Sequence, residues 1–169
     1  FAKYISDKVI SFEPSLVNYN ILLRNLKTNL KNNQFLAFQI GLGCSEYDTN
    51  LFYPSKNNFG MAKIRVDDKS KNTEKIKIDT LDNIVKKNKI NDPINLIKID
   101  VEGMEIDVLK GSESIITKNL PHLVIEAHNE IILSQVNSFL KPYKYQVLGK
   151  FCSTPTYHFI IPEKHIIDK

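Results

Sequence analysis

The sequence predicts an α/β domain built on a largely parallel sheet, with an antiparallel hairpin at its C-terminal edge. Three observations lead there. Strand-like and helix-like segments alternate over most of the 169 residues, the pattern that lays helices against a parallel sheet. Several of the strand-like runs are apolar inside and end in an acid or a glycine. The last two runs have no helix between them, which fits an antiparallel edge on an otherwise parallel sheet.

Residues 8–12 form a short β-type run that ends in Glu13-Pro14-Ser15. A helix follows, because Leu16, Tyr19, Leu23, Leu26 and Leu30 recur at helical spacing, with Ser15 placed to cap it. Residues 35–40 read as a buried strand broken by Gly41 and Gly43. Tyr47, Thr49, Leu51 and Tyr53 then alternate with Asp48, Asn50 and Phe52, a half-exposed strand. With a turn-rich loop at 54–60 and a return strand at 61–66, this section predicts a hairpin. A polar link over 67–74 leads to a strand at 75–78, and Thr80 caps a short helix with Leu81, Ile84 and Val85 inward. Residues 96–100 are a strand, and Ile106, Leu109, Ile116 and Leu120 mark one helix closed by Pro121. A strand at 122–126, a helix at 131–140 and strands at 145–149 and 157–161 complete a single domain spanning 1–169.

With 42% hydrophobic residues the chain can build a core, and a charged fraction of 25% is that of a folded protein. The net charge of +4 comes from scattered lysines, since Arg24 and Arg65 are the only arginines. Without arginine forks or a basic stripe, no nucleic-acid partner is expected. Cys44 and Cys152 lie far apart without metal-ligand spacing, so no zinc site is expected and a reducing, cytoplasmic setting is. Asp100 and Glu102 with His128 could hold a divalent metal, but their spacing does not demand one and no metal is assigned. No apolar run approaches the ~18 residues of a membrane span, so no membrane partner is expected either. Oligomeric state is left open.

Ligands of open α/β sheets bind beyond the carboxyl ends of the strands. Those positions here hold Glu13, then Gly41-Leu42-Gly43, then Asp100-Val101-Glu102-Gly103, then Glu126-Ala127-His128-Asn129. A carboxylate at the end of an early strand can accept both hydroxyl protons of a ribose, so Glu13 points to a nucleoside; the plainer alternative is a surface acid before a proline turn. Strand alternation puts Lys98 and Asp100 on one side and Ile97, Ile99 and Val101 on the other. A lysine buried in a central strand needs a partner, and Glu126 on the next strand is the candidate. Gly103 lets the backbone turn sharply into the next helix. His128, with an ordinary pKa near neutrality, is a further candidate base, against the plainer reading of a satisfied loop residue.

The run Ile97-Lys98-Ile99-Asp100-Val101-Glu102-Gly103-Met104-Glu105, followed by Val108-Leu109-Lys110-Gly111, resembles the signature of FkbM-type S-adenosylmethionine-dependent methyltransferases. The resemblance extends to Phe12-Glu13-Pro14, Thr80-Leu81-Asp82 and the stretch from Pro121 through Glu126, in the expected order. It implies a Rossmann-like methyltransferase fold, S-adenosylmethionine as cofactor, and methylation of a hydroxyl on a sugar or other small-molecule natural-product acceptor. It also implies Glu13 for the cofactor ribose, the Gly41-Leu42 backbone for the adenine edge and Asp100 near the methionine part or the methyl group. Domains of this kind open with a strand and a glycine-rich turn. Here Gly41-Leu42-Gly43 is a weak G-x-G after the wrong strand, with Glu46 in the third glycine's place. The expectation is a domain lacking its first strand and glycine-rich loop, with residues 1–5 as the tail of the helix that follows them, and poor cofactor binding by this fragment alone.

Methyl transfer to oxygen needs positioning and an acceptor for the hydroxyl proton. The catalytic candidates are Asp100, Glu102, Glu126 and His128. An aspartate with an ordinary pKa of roughly 3.9 is a weak base for an alcohol, and Asp100, Glu102 and Glu126 are expected to raise one another's pKa. The hairpin over 47–66, with Asn57-Asn58-Phe59-Gly60 at its tip, is either an acceptor-side element or the cover of a sheet edge. Two rival readings remain: a nicotinamide-dependent oxidoreductase, which shares Glu13 but leaves the acids after Ile99 unexplained, and a degenerate, non-catalytic relative.

Overall fold

The computed structural model describes residues 7–53, 63–65 and 73–165, which belong to two compact units, Phe1–Asp79 and Thr80–Lys169. The expectations for residues 1–5 and for the hairpin tip lie outside the described residues.

In the first unit, strand β1 (Val9–Phe12) pairs in parallel with β2 (Phe35–Phe38), from Val9 opposite Phe35 to Phe12 opposite Phe38. The two phenylalanine rings at the end of that ladder stack with centroids 5.5 Å apart. Helix α1 (Leu16–Asn29) is the crossover between them. Ser15 caps it as expected, its Oγ accepting the Asn18 N–H at 3.4 Å. The expected apolar stripe holds at Leu26, which is buried, and fails at Leu16, which is 49% exposed. Leu16 opens the helix, where its backbone N–H matters more than its side chain. β2 ends at Phe38 and is half-buried, not buried over 35–40.

Four further strands form a second sheet in the order β3 (Gly41–Leu42), β6 (Thr73–Asp79), β4 (Tyr47–Phe52), β5 (Lys63–Arg65). β3 runs parallel to β6, while β4 is antiparallel to both β6 and β5. The expected hairpin is therefore present in its described strands. Thr73 and Glu74, read from sequence as the end of a polar link, belong to β6 and pair with Phe52 and Leu51. Leu51, Ile76 and Ile78 form the core of this sheet, with Tyr53 packed against them.

In the second unit the sheet order is β7 (Leu96–Ile99), β8 (His122–Glu126), β10 (Thr156–Ile160), β9 (Gln146–Phe151). β7 and β8 are parallel, and β10 is antiparallel to both β8 and β9, so the C-terminal hairpin is the antiparallel edge that was expected. Its register slips between His158 and Phe159, which oppose Gly149 and Val147, leaving Leu148 as the extra residue of a bulge. Helices α2 (Leu81–Lys87), α3 (Glu105–Lys110), α4 (Glu113–Asn119), α5 (Glu130–Leu140) and α6 (Pro162–His165) complete the unit. Leu109, Ile116, Leu123, Ile125, Val136 and Phe159 are fully buried in its core.

The single helix expected from Ile106 to Leu120 is two. α3 stops at Gly111 and α4 starts after Ser112, whose buried hydroxyl donates to the Val108 carbonyl at 2.7 Å. The apolar phase runs across the break, with Leu109 and Ile116 both fully buried, so periodicity alone does not show it. Asp82 closes the break. Its backbone N–H donates to Gly111 O at 3.0 Å, and its carboxylate accepts the N–H groups of Ser114 and Ile115 at 2.8 and 3.1 Å. Leu120 ends α4 in the left-handed conformation (φ 50°) just before Pro121.

Candidate active site

Asp100, Glu102, Glu126 and His128 come together in the second unit, beyond the carboxyl ends of the parallel neighbours β7 and β8. Alternation along β7 is as expected: Ile97 and Ile99 are buried, while Lys98 and Asp100 face the other way. The pairing differs from expectation. Lys98 is not buried, its side chain being 56% exposed, and it forms a short ion pair with Asp100. Glu126 instead hydrogen-bonds to Asp100. Exposed lysine carries little desolvation cost, so it has no need of a partner on the next strand.

The expected mutual raising holds for Glu126 and fails for Asp100. Partial burial works against the Asp100 charge, but the hydrogen bond from Glu126 and the Lys98 ammonium outweigh it, and Asp100 sits below its ordinary value. Glu126 sits above its ordinary value, first because of the hydrogen bond to Asp100 and then because of burial and the Asp100 charge. Two carboxyls in contact with one cation beside them divide in this way: one ionises more readily than usual and the other less.

His128 lies between Glu126 and Glu102. Its Nδ1 is 3.7 Å from Glu126 Oε1 and its Nε2 is 3.9 Å from Glu102 Oε2. The loop carrying it is pinned on both sides, by the Ala127 N–H donating to Pro155 O at 2.9 Å and by Asn129, whose Oδ1 caps α5 on the Ile132 N–H at 3.0 Å. Gly103 makes the sharp turn expected of it, with φ 89°. A side chain there would meet nothing within 4 Å, so the constraint is the backbone conformation rather than space. Glu105, almost fully buried, accepts the Gly103 N–H at 3.2 Å and holds the turn. The sequence reading did not single out Glu105; an acid two residues beyond a turn glycine at a helix start is the signal. Among the described residues no three His, Cys, Asp or Glu side chains are grouped as metal donors.

The remaining candidates belong to the first unit. Glu13 follows β1 and accepts the Ser15 N–H at 2.9 Å. Burial pushes its carboxyl above the ordinary value, and the nearby Glu74 adds to that, against the hydrogen bonds from the Ser15 N–H and the Asn18 side chain. Glu74 Oε1 accepts the Leu16 N–H at 2.8 Å, and its other oxygen takes a short hydrogen bond from Tyr53. Tyr53 Oη also lies 2.8 Å from Ser15 Oγ. Desolvation and the Glu74 carboxylate push the Tyr53 phenol up to about 12. Neither Tyr53 nor Glu74 stood out in the sequence, where one was a member of an alternating strand and the other the end of a lysine-rich link. Gly41 and Leu42 form β3, and a Cβ on Gly41 would stand 2.5 Å from Ile78 Cδ1, so packing against β6 alone accounts for that glycine.

A sequence profile of the methyltransferase FkbM domain matches residues 3–147. The chain belongs to the FkbM methyltransferase domain family. Methyltransferase sdnD of Sordaria araneosa is 28% identical over 151 residues, covering 73% of this chain and 58% of that protein. The crystal structure of methyltransferase FkbM from Methylobacillus flagellatus KT superposes with a TM-score of 0.63 at 22% identity, over 90% of this chain and 36% of that one. The chain thus spans little more than half of the first relative and about a third of the second. The α/β fold is the Rossmann-like fold expected of an FkbM methyltransferase, and the stretches that carried the resemblance, from Phe12 to Glu126, fall inside the matched region.

Proposed function

We propose that the full-length protein transfers a methyl group from S-adenosylmethionine to a hydroxyl of a sugar or natural-product acceptor. The observation that carries this reading is the divided carboxyl pair Asp100–Glu126 with His128 beside it, in a chain of the FkbM methyltransferase domain family. S-adenosylmethionine supplies an activated methyl group on a sulfonium, so the protein need only position the acceptor and receive its proton.

The cofactor contacts that the family resemblance implies are chemically apt residue by residue. Glu13 takes the ribose hydroxyls, since a carboxylate offers about four acceptor sites and its hydrogen bonds to the Ser15 N–H and the Asn18 side chain leave capacity over. The Gly41-Leu42 backbone borders the adenine. Asp100, which ionises more readily than its partner, favours the sulfonium end. His128 accepts the hydroxyl proton at a ring nitrogen, and the Glu102 carboxylate, 3.9 Å from its Nε2, stabilises the imidazolium that results, with Glu126 Oε1 3.7 Å from Nδ1 orienting the ring. The two exposed thiols Cys44 and Cys152, unpaired in the structure, suit a reducing cytoplasm.

The test is turnover by the full-length protein with Asp100→Ala, Glu102→Ala and His128→Ala. For the His128 variant, loss of a general base predicts a fall of about a hundredfold, and the two acid variants are expected to be strongly impaired with the fold intact by circular dichroism. Near-wild-type rates in all three would refute the assignment.

A further inference from the structure

The hydrogen-bond chain at the start of α1 has more parts than a helix cap needs. Ser15 is fully buried and is held at three points: its N–H by Glu13, its Oγ by the Asn18 N–H, and the same Oγ by Tyr53 at 2.8 Å. Tyr53 has one proton, and the short contact to the Glu74 carboxylate claims it. Ser15 therefore donates its own hydroxyl proton to Tyr53 Oη, which agrees with the Ser15 bond lowering the Tyr53 pKa while the Glu74 bond raises it. The order is fixed from end to end: Asn18 N–H to Ser15, Ser15 to Tyr53, Tyr53 to Glu74. Glu74 closes the ring by accepting the Leu16 N–H at 2.8 Å. Two successive backbone N–H groups, of Ser15 and Leu16, are thus assigned to two different carboxylates, and the tyrosine keeps the second from competing for the first.

We propose that Tyr53 and Glu74 are positioning residues for Glu13: they lock Ser15, and through its N–H they fix the carboxylate that receives the ribose hydroxyls. This rests on the reading of Glu13 as the ribose ligand. Neither residue touches the cofactor. Their effect is on how well Glu13 is aimed, so it falls on binding and not on the chemical step. A fixed carboxylate also discriminates, because a ribose without hydroxyls gains nothing from it.

The experiment measures calorimetric affinity of the full-length protein for S-adenosylhomocysteine and for its 2′,3′-dideoxy analogue. The proteins are wild type, Glu13→Gln, Tyr53→Phe and the double variant. Loss of a hydrogen bond to a charged group predicts about a tenfold or greater loss for Glu13→Gln. Tyr53→Phe is expected to weaken the natural nucleoside about three- to tenfold, to leave the dideoxy analogue unchanged, and to add nothing on the Glu13→Gln background. Glu74→Gln keeps an acceptor for the Leu16 N–H and serves as the second variant, with the same non-additive loss expected. Unchanged affinity in Tyr53→Phe and Glu74→Gln beside a clear loss in Glu13→Gln would overturn the positioning role alone. Equal losses on both backgrounds, or for both nucleosides, would also overturn it, as a general structural effect. Unchanged affinity in Glu13→Gln would sink the ribose assignment and the positioning role with it.

Discussion

At the scale of single residues, Asp100 and Glu126 titrate in opposite directions from their ordinary values, so Asp100 gives up its proton first. A carboxyl lowered by a neighbouring ammonium and a donated hydrogen bond stays ionised, while its partner, the donor of that bond, keeps its proton further up the scale. Carboxyl-carbon NMR titration is expected to place Glu126 above 4.5 and Asp100 below 3.8, their ordinary values. Reversal of that order would contradict the geometry. Glu126→Gln preserves a donor toward Asp100 and is expected to leave the melting temperature nearly unchanged, whereas Glu126→Ala removes the donor and returns Asp100 toward its ordinary value. These directions were not legible in the sequence. Spacing placed the acids at one end of the sheet, but which of them took Lys98 depended on Lys98 being exposed, and alternation along a strand tells sides apart without telling which side is covered.

At the scale of elements, Asp82 does what no neighbour in sequence can do for α4. It reaches the second and third backbone N–H groups of that helix from the start of α2, while Gly111 O receives its own N–H. Asp82→Ala should lower stability by about 1 kcal/mol, the ordinary value of a helix cap, read from denaturant midpoints; Asp82→Asn should recover part of it. Gly103→Ala should cost about 1–2 kcal/mol, because its φ of 89° is strained for any residue with a Cβ. Much of this level was readable. Ser15, Thr80 and Gly103 announced their roles by residue type and place. The division between α3 and α4 did not, because Ser112 turns its hydroxyl back on Val108 and the apolar phase continues as if the helix did. β6 was also longer than its apolar core implied: Thr73 and Glu74 are strand residues by virtue of pairing with β4, a long-range fact absent from local pattern.

At the scale of the molecule, the alternation of strands and helices was sufficient to give the fold class, since two of the parallel pairs, β1–β2 and β7–β8, are joined through helices, while the third, β3–β6, is joined through β4 and β5. Acid stability belongs to this scale as well. His122 Nδ1 and His158 Nε2 are 2.9 Å apart on β8 and β10, with Lys164 adding positive charge near His122. Burial lowers both histidines below their ordinary value, and Lys164 and His122 respectively deepen the shift. A folded pKa below the unfolded one means that the unfolded chain binds the proton more tightly. The stability this pair contributes is therefore complete above about 6.5 and is lost as pH falls through the lowered folded values. Thermal melts should show the melting temperature dropping as the pH goes from about 7 to about 5, the range below a histidine's ordinary pKa, and His158→Phe should flatten that slope. A flat profile in the unaltered protein would exclude the pair as its cause. Since the chain already carries +4 at neutrality, each added proton also increases self-repulsion.

Leu148, the extra residue in β9, matters once many copies share a solution. Among the described residues β9 is paired on one side only, and it exposes Val147, Leu148 and Phe151, the composition of a strand that recruits other strands. A bulge there twists the edge and puts its amides out of step, so a second copy meets no straight ladder to extend. The irregularity guards the open side of the sheet against growth into aggregates. Deleting Leu148 would straighten that ladder, and light scattering during refolding should then rise well above that of the unaltered protein at equal concentration.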